Sequence, residues 1–594
     1  MYGFYNRLMV IDATQRSYEI RDISDELLRD TLGGRGLGTH LLLELNPPQV
    51  SPLAPANNLI ITIGPTTGTA IWGSCRYAVF TKSPQTGLYS ESYSGGKAAE
   101  SISAAGFDAV AIHGASDQPI WLEITPRGVE FHDASSLWGM DCYQTEDAVK
   151  GWIKENRPDA GRPAAMVIGP AGENLVSYAV IENEYWRSAG RTGTGAVLGS
   201  KRIKAIAFWG DCKKEVAHPK LVREFASSLA IRGKEDVGAQ VFKTQGTPMM
   251  VDVMNQHDAF PSRYWQEGTV EHKERINAQA LHQRCQVTPH ACLKCFIACG
   301  RMTTVQRGRH AGLRLEGPEY ETIYAFGGLC EVDSIEEIVY LNDVCDRLGI
   351  DTISGGNMVA LTIEAVRQGK VSHDINYGDV DKIASLLHDI AYLDGLGAVL
   401  AKGVKTAAEA MDMAEQAIHV KGLEPAGYDP RVFKGMGLAY GTAPRGACHM
   451  RSTFYKPELM GTIDADQIEG KAEIFVKWED RLCFFDTLII CRFYRDLLQW
   501  PELGQVVKAV TGLELSINQM QILAKKVTDN TRRFNVREGL TASDDRLPRH
   551  FASHALPQNG KTISRKQMDQ LLQDYYRVRG WDQEGKPPES SEPS

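Results

Sequence analysis

Over residues 1–211 the apolar runs are short, and Gly and Pro bound them, which is the pattern of strands rather than helices. Leu59–Ile63, Arg76–Phe80, Ala109–Ile112, Ile120–Ile124 and Lys204–Phe208 each read as a strand. They follow one another too closely to leave a helix between every pair, so a sheet-rich unit is expected rather than a doubly wound one. From about Pro219 the apolar spacing becomes helical. Ser334-Ile-Glu-Glu337 reads as a capping box opening a helix that Gly349 ends, with further helical stretches over 354–368, 381–412, 464–497 and 517–535. The last residues, from Gly585 on, hold nothing to bury and read as disordered.

With 594 residues the chain exceeds a single core and calls for three or four domains. Its 43% hydrophobic and 23% charged residues are ordinary for a globular protein. A net charge of −9 argues against nucleic acid, whose partners carry basic stripes, while leaving room for a local patch that docks a small acidic protein. The N-terminus lacks the charged-then-apolar pattern of an export signal, and no apolar run is long enough for a membrane span. Twelve cysteines without an export signal suggest metal rather than disulfides, in a cytoplasmic protein.

Three glycine-rich segments need a physical reason. Gly193-Thr-Gly195-Ala-Val-Leu-Gly199 mimics a dinucleotide fingerprint, but the next strand starts near Lys204 and leaves no room for a crossover helix. Its glycines are expected to bring backbone amides close to an anionic ligand. Gly33–Gly38 and Ser94-Gly95-Gly96 either do the same or form turns.

The strongest chemical signal is Cys292-Leu-Lys-Cys295-Phe-Ile-Ala-Cys299. On a helix or tight turn these thiols fall at i, i+3 and i+7 and face one point. Thiolates select soft metals, either an iron–sulfur cluster needing a fourth thiolate or zinc with Cys285 or His290 as the fourth ligand; the blandest reading is a set of buried thiols without metal.

Two later segments, Asp346-Arg-Leu-Gly349-Ile350-Asp351 and Asp486-Thr-Leu-Ile489-Ile490-Cys491, are variants of one hexapeptide. Together with the cysteine run they resemble the tungsten-containing aldehyde ferredoxin oxidoreductase family. Further signatures follow in family order: Gly64-Pro-Thr-Thr-Gly68, Arg76-Tyr77, Ile168–Asn174, Ala189-Gly-Arg191, Gly317-Pro-Glu-Tyr-Glu321, Tyr428-Asp-Pro-Arg431 and Arg445-Gly-Ala-Cys-His449. The resemblance runs from Met1 to about Trp581.

That resemblance implies an α+β multidomain fold: a β-rich base (1–211) carrying the cofactor, then two mainly helical domains (212–418 and 419–594), each bringing one hexapeptide. It implies a bis-pterin, molybdopterin-type tungsten cofactor and one [4Fe-4S] cluster on Cys292, Cys295, Cys299 and Cys491. Asp346, Asp351 and Asp486 would accept hydrogen bonds from the pterin rings, and Ile350 and Ile490 would lie beside them. Arg76 would link pterin to cluster, with Ser94, Gly95, Gly190, Arg191, Arg445 and Arg451 also at the cofactor. The backbone carbonyls of Tyr93 and Ser188 would hold a magnesium ion between the pterin phosphates. Glu321 would be the general base and His449 the proton relay. As isolated residues, the aspartates would read as caps and Glu321 as a solvated helix residue.

The implied activity is oxidation of a small aldehyde to a carboxylic acid with water as oxygen source, electrons leaving to ferredoxin or an iron–sulfur partner subunit. A reductive reaction on a carboxylate or an aromatic acyl-coenzyme A thioester uses the same centre. A zinc-stabilised binding protein without redox chemistry is the reading from another class. Departures from the pattern are Ile489 where glycine is usual, Arg451 where lysine is common, and Tyr340-Leu-Asn-Asp343 in place of a dimer-bridging E-x-x-H pair. An oligomer is possible, but that metal bridge does not carry over. Substrate identity and the choice between tungsten and molybdenum have no sequence signal, because the protein supplies no ligand to that metal.

Overall fold

The structure, a computed structural model, describes residues 1–589. It is an α+β protein with a sheet-rich N-terminal region and a helical remainder. In the first sheet the expected runs at 59–63, 76–80 and 109–112 appear within one or two residues as β3 (Leu59–Thr62), β4 (Tyr77–Lys82) and β6 (Ala109–His113), and β1 (Arg7–Asp12), β2 (Ser17–Asp22) and β5 (Tyr89–Ser94) join them without having been expected. A second contains β7 (Ile120–Thr125), β8 (Gly128–Asp133), β9 (Ala164–Val167), β10 (Ile181–Asn183), β11 (Arg187–Ala189) and β12 (Ile203–Phe208).

The two sheets repeat one topology. The first runs β2-β1-β6-β3-β4-β5 and the second β8-β7-β12-β9-β10-β11, and in each only the second pairing is parallel. Met9, Ile11, Ile61, Val79, Leu122, Met166 and Ile206 fill one core between them, while Leu8, Val10, Ile60 and Phe80 face the opposite side. Burial on both faces makes these strands read as continuous apolar runs rather than alternating ones. Copies meet where β5 packs on β11. Both β3 and β9 run into Ile-Gly-Pro (63–65 and 168–170), a duplication too short to stand out in the sequence.

Several expectations need correction. Ser334 starts the helix Ile335–Leu348, but its hydroxyl bonds the Glu336 carboxylate and no capping box forms. The stretch 381–412 is three helices, Val380–Tyr392, Gly397–Leu400 and Val404–Ala410, and 464–497 contains the shorter helix Lys471–Leu488. Among the glycines, Gly193, Gly195 and Gly199 abut the backbone of Ser177, Val180 and Gly172, so they serve close packing and not an anion. Gly34, Gly36 and Gly38 lie in the helix Gly34–Leu45 and do the same against Asp486, Thr31 and Phe80. In the tail, Arg532 and Arg533 hold the carbonyls of Gly585 and Pro588 (both 2.8 Å); residues 590–594 lie outside the described residues.

The largest core unites residues from Ala171 to Trp581, taking in part of the base as well as residues on both sides of 418, so both hexapeptide-bearing parts share one interior. No described helix is long and apolar enough to cross a membrane.

A Cβ on Gly34 (φ 43°) would strike the Asp486 carbonyl and the Ile489 side chain. Gly34→Ala should therefore cost about 1–3 kcal/mol. Gly151→Ala, in the helix Cys142–Asn156 with open space around it, should be neutral or gain up to about 1 kcal/mol. Thermal unfolding of the two variants checks the difference in sign.

Candidate active site

Each hexapeptide begins in the last turn of a helix and leaves it through a left-handed residue. Gly349 (φ 76°) ends Ile335–Leu348, and Ile489 (φ 59°) ends Lys471–Leu488. The next amide closes the turn each time: Ile350 N–H donates to the Cys345 carbonyl at 2.9 Å, and Ile490 N–H to that of Phe485 at 3.1 Å. Left-handed backbone costs a β-branched residue about 1–2 kcal/mol, which the buried packing of Ile489 offsets. The Ile-Gly-Pro turns receive these ends, with Gly64 against the Leu488 carbonyl and Gly169 against that of Leu348. One half of the base thus seats one hexapeptide, and the other half seats the other.

Between them lies a cavity of about 280 Å³. Arg76, Tyr93, Ser188, Gly190, Arg191, Glu321 and His449 line it, together with Asp346, Ile350, Asp351, Arg445, Arg451, Asp486 and Ile490. Ser94 and Gly95 do not. The Ser94 hydroxyl donates to Asn183 Oδ1 at 2.8 Å, and Gly95 leaves room for the Cys292 thiol.

The three aspartates differ. Asp351 caps the helix Thr352–Arg367, accepting from Ile353 and Ser354 N–H at 3.2 and 3.3 Å, and binds Arg191 Nε at 3.0 Å. Arg191 also lines the cavity and donates its other nitrogens to the Ala447 and Glu424 carbonyls. Burial and the neighbouring Asp343 push the Asp346 carboxyl well above its ordinary range, and burial with Asp346 does the same to Glu182. Burial would raise Asp486 too, but Arg492 and Arg451 keep it low; Arg451 Nη1 lies 2.7 Å away and also pairs with Glu91 at 3.0 Å.

Buried groups without a hydrogen-bond partner are divided by type. Donors are Nε of Arg76, Arg445 and Arg451; acceptors include Oε2 of Glu182 and Oε1 of Glu321. Such groups are costly unless something supplies their partners.

Glu321 accepts from Gly427 N–H at 3.0 Å through Oε2, and its Oε1 lies 3.6 Å from His449 Nε2. Both side chains are recessed, 17% and 12% exposed. Burial raises Glu321 to about 8 despite Gly427 and Arg191. Burial and then Arg191, Arg445, Arg451 and Arg492 depress His449. Near neutrality the pair therefore shares one proton, a carboxylic acid beside a neutral imidazole.

Cys292, Cys295 and Cys299 sit in an irregular turn between strands Cys285–His290 and Gly300–Val305, with Lys294 and Ala298 left-handed. The spacing does not form a helix. Cys491 arrives from the second hexapeptide, and each of Cys295 and Cys299 feels Cys491 and Cys292 electrostatically. Among the described residues no three of these thiols lie within 4.8 Å of one another, wider than tetrahedral zinc with bonds of about 2.3 Å needs. The expected zinc partners are engaged elsewhere: Cys285 is in the large helical core, and His290 Nδ1 faces Glu316 at 3.1 Å.

Sequence reasoning missed three residues here. Cys75 hydrogen-bonds Cys292, and this contact, opposed by burial and aided by Arg187 and Arg76, keeps the Cys292 thiol low. Arg492 binds Asp486 through Nε at 3.1 Å, and Glu319 lines the cavity. Cys75 and Arg492 each adjoin a residue already singled out, Arg76 and Cys491, and that adjacency was the available signal. Arg76 touches both parts: burial would lower its pKa, but Cys491, Cys75 and Cys292 hold it above its usual value.

A duplicated sheet base, a helical body closing a polar cavity over it, and convergent thiols at one edge define a cofactor-type redox scaffold. Residues 8–210 match the aldehyde ferredoxin oxidoreductase N-terminal domain and 224–591 that family's domains 2 and 3. The chain belongs to the aldehyde ferredoxin oxidoreductase family and is an oxidoreductase. It is 33% identical to the tungsten-containing aldehyde ferredoxin oxidoreductase of Thermococcus kodakarensis, covering 99% of this chain and 98% of that one. With the Pyrococcus furiosus enzyme of the same description the identity is 32% over the same shares. The active site complex BamBC of benzoyl coenzyme A reductase with 1,5-dienoyl-CoA has the same fold, with TM-score 0.83 at 22% identity over 99% of this chain and 96% of that one.

Cys483 is also fully buried nearby, but it points to the Ala524 carbonyl at 3.5 Å. Cys491→Ala is expected to lose most bound iron, and Cys483→Ala to keep it. Iron determination on anaerobically purified variants checks this, and the opposite pattern would move the fourth ligand.

Proposed function

We propose that this chain oxidises an aldehyde to the carboxylic acid, with water as oxygen source, at a bis-pterin tungsten centre. Electrons would leave through a [4Fe-4S] cluster to ferredoxin or an iron–sulfur partner. The observation that carries the reading is the Glu321–His449 pair, sharing one proton on the wall of a cavity whose buried donors and acceptors lack partners.

The residues present fit such a cofactor. Acceptors at Glu182 and Asp346 suit ring N–H donors, while the Nε groups of Arg76, Arg445 and Arg451 suit anionic oxygens or sulfur. Asp486, already held by Arg451 and Arg492, would meet the second ring. Tyr93 and Ser188, which lie one residue before the ends of β5 and β11, occupy matching places in the duplicated base, as two carbonyls bridging one magnesium ion would require. When bound, the cofactor supplies two-electron redox chemistry and its own sulfur ligands to the metal.

The chain's part is to orient the aldehyde and handle protons. Oxidation removes two electrons from aldehyde and water together and releases protons at the reacting carbon and oxygen. Glu321 Oε1, free of other partners, accepts one in its carboxylate form, and His449 Nε2 stands ready to pass it on. Arg76, in contact with the cavity and the thiols, joins the cofactor to the electron outlet. The thiols would hold the cluster, and their half-exposed turn at 292–296 opens towards a carrier.

Because the base form of Glu321 is required, kcat/KM for aldehyde oxidation should rise about tenfold per pH unit below about pH 8 and level off above it. Glu321→Gln should abolish that rise and cost at least about 100-fold. Elemental analysis of anaerobically purified protein is expected to give about four iron atoms and one tungsten per chain. Zinc without tungsten would overturn the assignment.

A further inference from the structure

Beside Glu321 and His449 a second pocket of about 250 Å³ opens, walled by Phe242, Met250, Tyr428, Tyr455 and Phe493. Tyr428 and Tyr455 stack at 4.1 Å, and Phe242 meets Phe493 at 4.5 Å, so the walls are flat and apolar. One charged residue in that wall is unexplained. Arg495 is 4% exposed, yet it donates only Nη1, to the Arg492 carbonyl at 3.0 Å, and its Nε has no partner.

No carboxylate oxygen lies within 4 Å of Arg495 among the described residues. The adjacent Asp496 is taken by Lys456, and Asp486 by Arg451 and Arg492. The nearby Arg481 is likewise buried and held by the Arg495 and Leu498 carbonyls, adding positive charge. Burying a guanidinium without a counter-ion is expensive, so a partner from outside the chain is the economical account of it. The cofactor is not that partner: Arg76 and Arg492 line both cavities, whereas Arg495 lines only the apolar one. The acids facing this pocket, Glu319 and Glu321, are both pushed towards their neutral forms by burial and offer little competing charge.

We propose that this pocket takes an aromatic aldehyde whose far end carries a carboxylate, and that Arg495 is the specificity-determining residue receiving that carboxylate. The planar guanidinium fork matches a carboxylate with two parallel hydrogen bonds, and the stacked walls match a ring between the two functional groups. The distal carboxylate is unchanged in the reaction; the aldehyde end alone takes oxygen from water and gives up two electrons to the acceptor. This inference rests on the aldehyde-oxidising reading above.

The test compares 4-carboxybenzaldehyde with 4-methylbenzaldehyde on the loaded enzyme. The carboxylated aldehyde is expected to have the higher kcat/KM. Arg495→Met should lower that value about 100-fold, mainly through KM, with a far smaller loss for the methyl compound. Arg495→Lys, which keeps a point charge without the fork, should restore part of the preference. Calorimetry with terephthalate and 4-methylbenzoate reads the site without turnover: wild type should bind terephthalate more tightly, and Arg495→Met should lose that difference. Equal use of the two aldehydes, or equal binding of the two acids, overturns the inference. If neither aldehyde is oxidised the aldehyde reading fails, and the calorimetric comparison still decides whether Arg495 is a carboxylate site.

Discussion

Everything at this site depends on two backbone contacts, Gly64 against the Leu488 carbonyl and Gly169 against the Leu348 carbonyl. A side chain at either glycine would separate a sheet from the helix end it receives. Those helix ends carry the paired hexapeptides, so the same contacts set where Asp346, Asp351, Asp486 and Cys491 sit. The base offers the contact twice because its sheet topology is repeated, and the helical body meets it with two helices ending in the same left-handed turn. At the second turn Ile489 does what glycine does at the first, against its backbone preference, with Gly34 left bare to admit it.

Around this frame the charges form an ordered gradient. Asp346 and Glu182 are driven towards protonation by burial and by neighbouring carboxylates, while Asp486 at the second hexapeptide is kept ionised by two guanidiniums. Glu321 and His449 stand between these environments and share a proton. Arg76 connects the polar cavity to the thiols. A cavity with unpaired donors and acceptors is costly to an isolated chain, and that cost is what makes it selective for a large polar cofactor. The aromatic pocket beyond Glu321 has a different character, with one unmatched charge in an apolar wall.

Much of this was legible beforehand for a physical reason. Strands buried on both faces leave apolar runs between turn residues, and a thiol cluster leaves spacing, so the strands, the cysteine run and both hexapeptides stood out. Asp351 shows the limit of such reading: its cap is as local as the bland interpretation of an aspartate would have it, yet it also binds the distant Arg191 and lines the cavity. The glycines misled because close approach is all that a glycine signals. Whether the approaching atom is a ligand or another backbone depends on the rest of the fold, and at Gly193, Gly195 and Gly199 it is backbone. Cys75 was overlooked since its importance comes from Cys292, distant along the chain, and Arg492 since its pairing with the nearby Asp486 depends on how the turn after the helix folds back.

By itself the sequence determined element types, the family pattern and the residues able to do chemistry, because these follow from side-chain periodicity and from motifs a few residues long. Tertiary structure alone decided that Gly95 stands against the Cys292 thiol, and that among the described residues no three of the thiols come within 4.8 Å of one another. It also decided that the two parts expected to meet at 418 share one core, and that Arg495 is buried without an acid beside it. Each of these depends on which distant residues come within a few ångströms. Burial and pairing are properties of those encounters, not of any one segment.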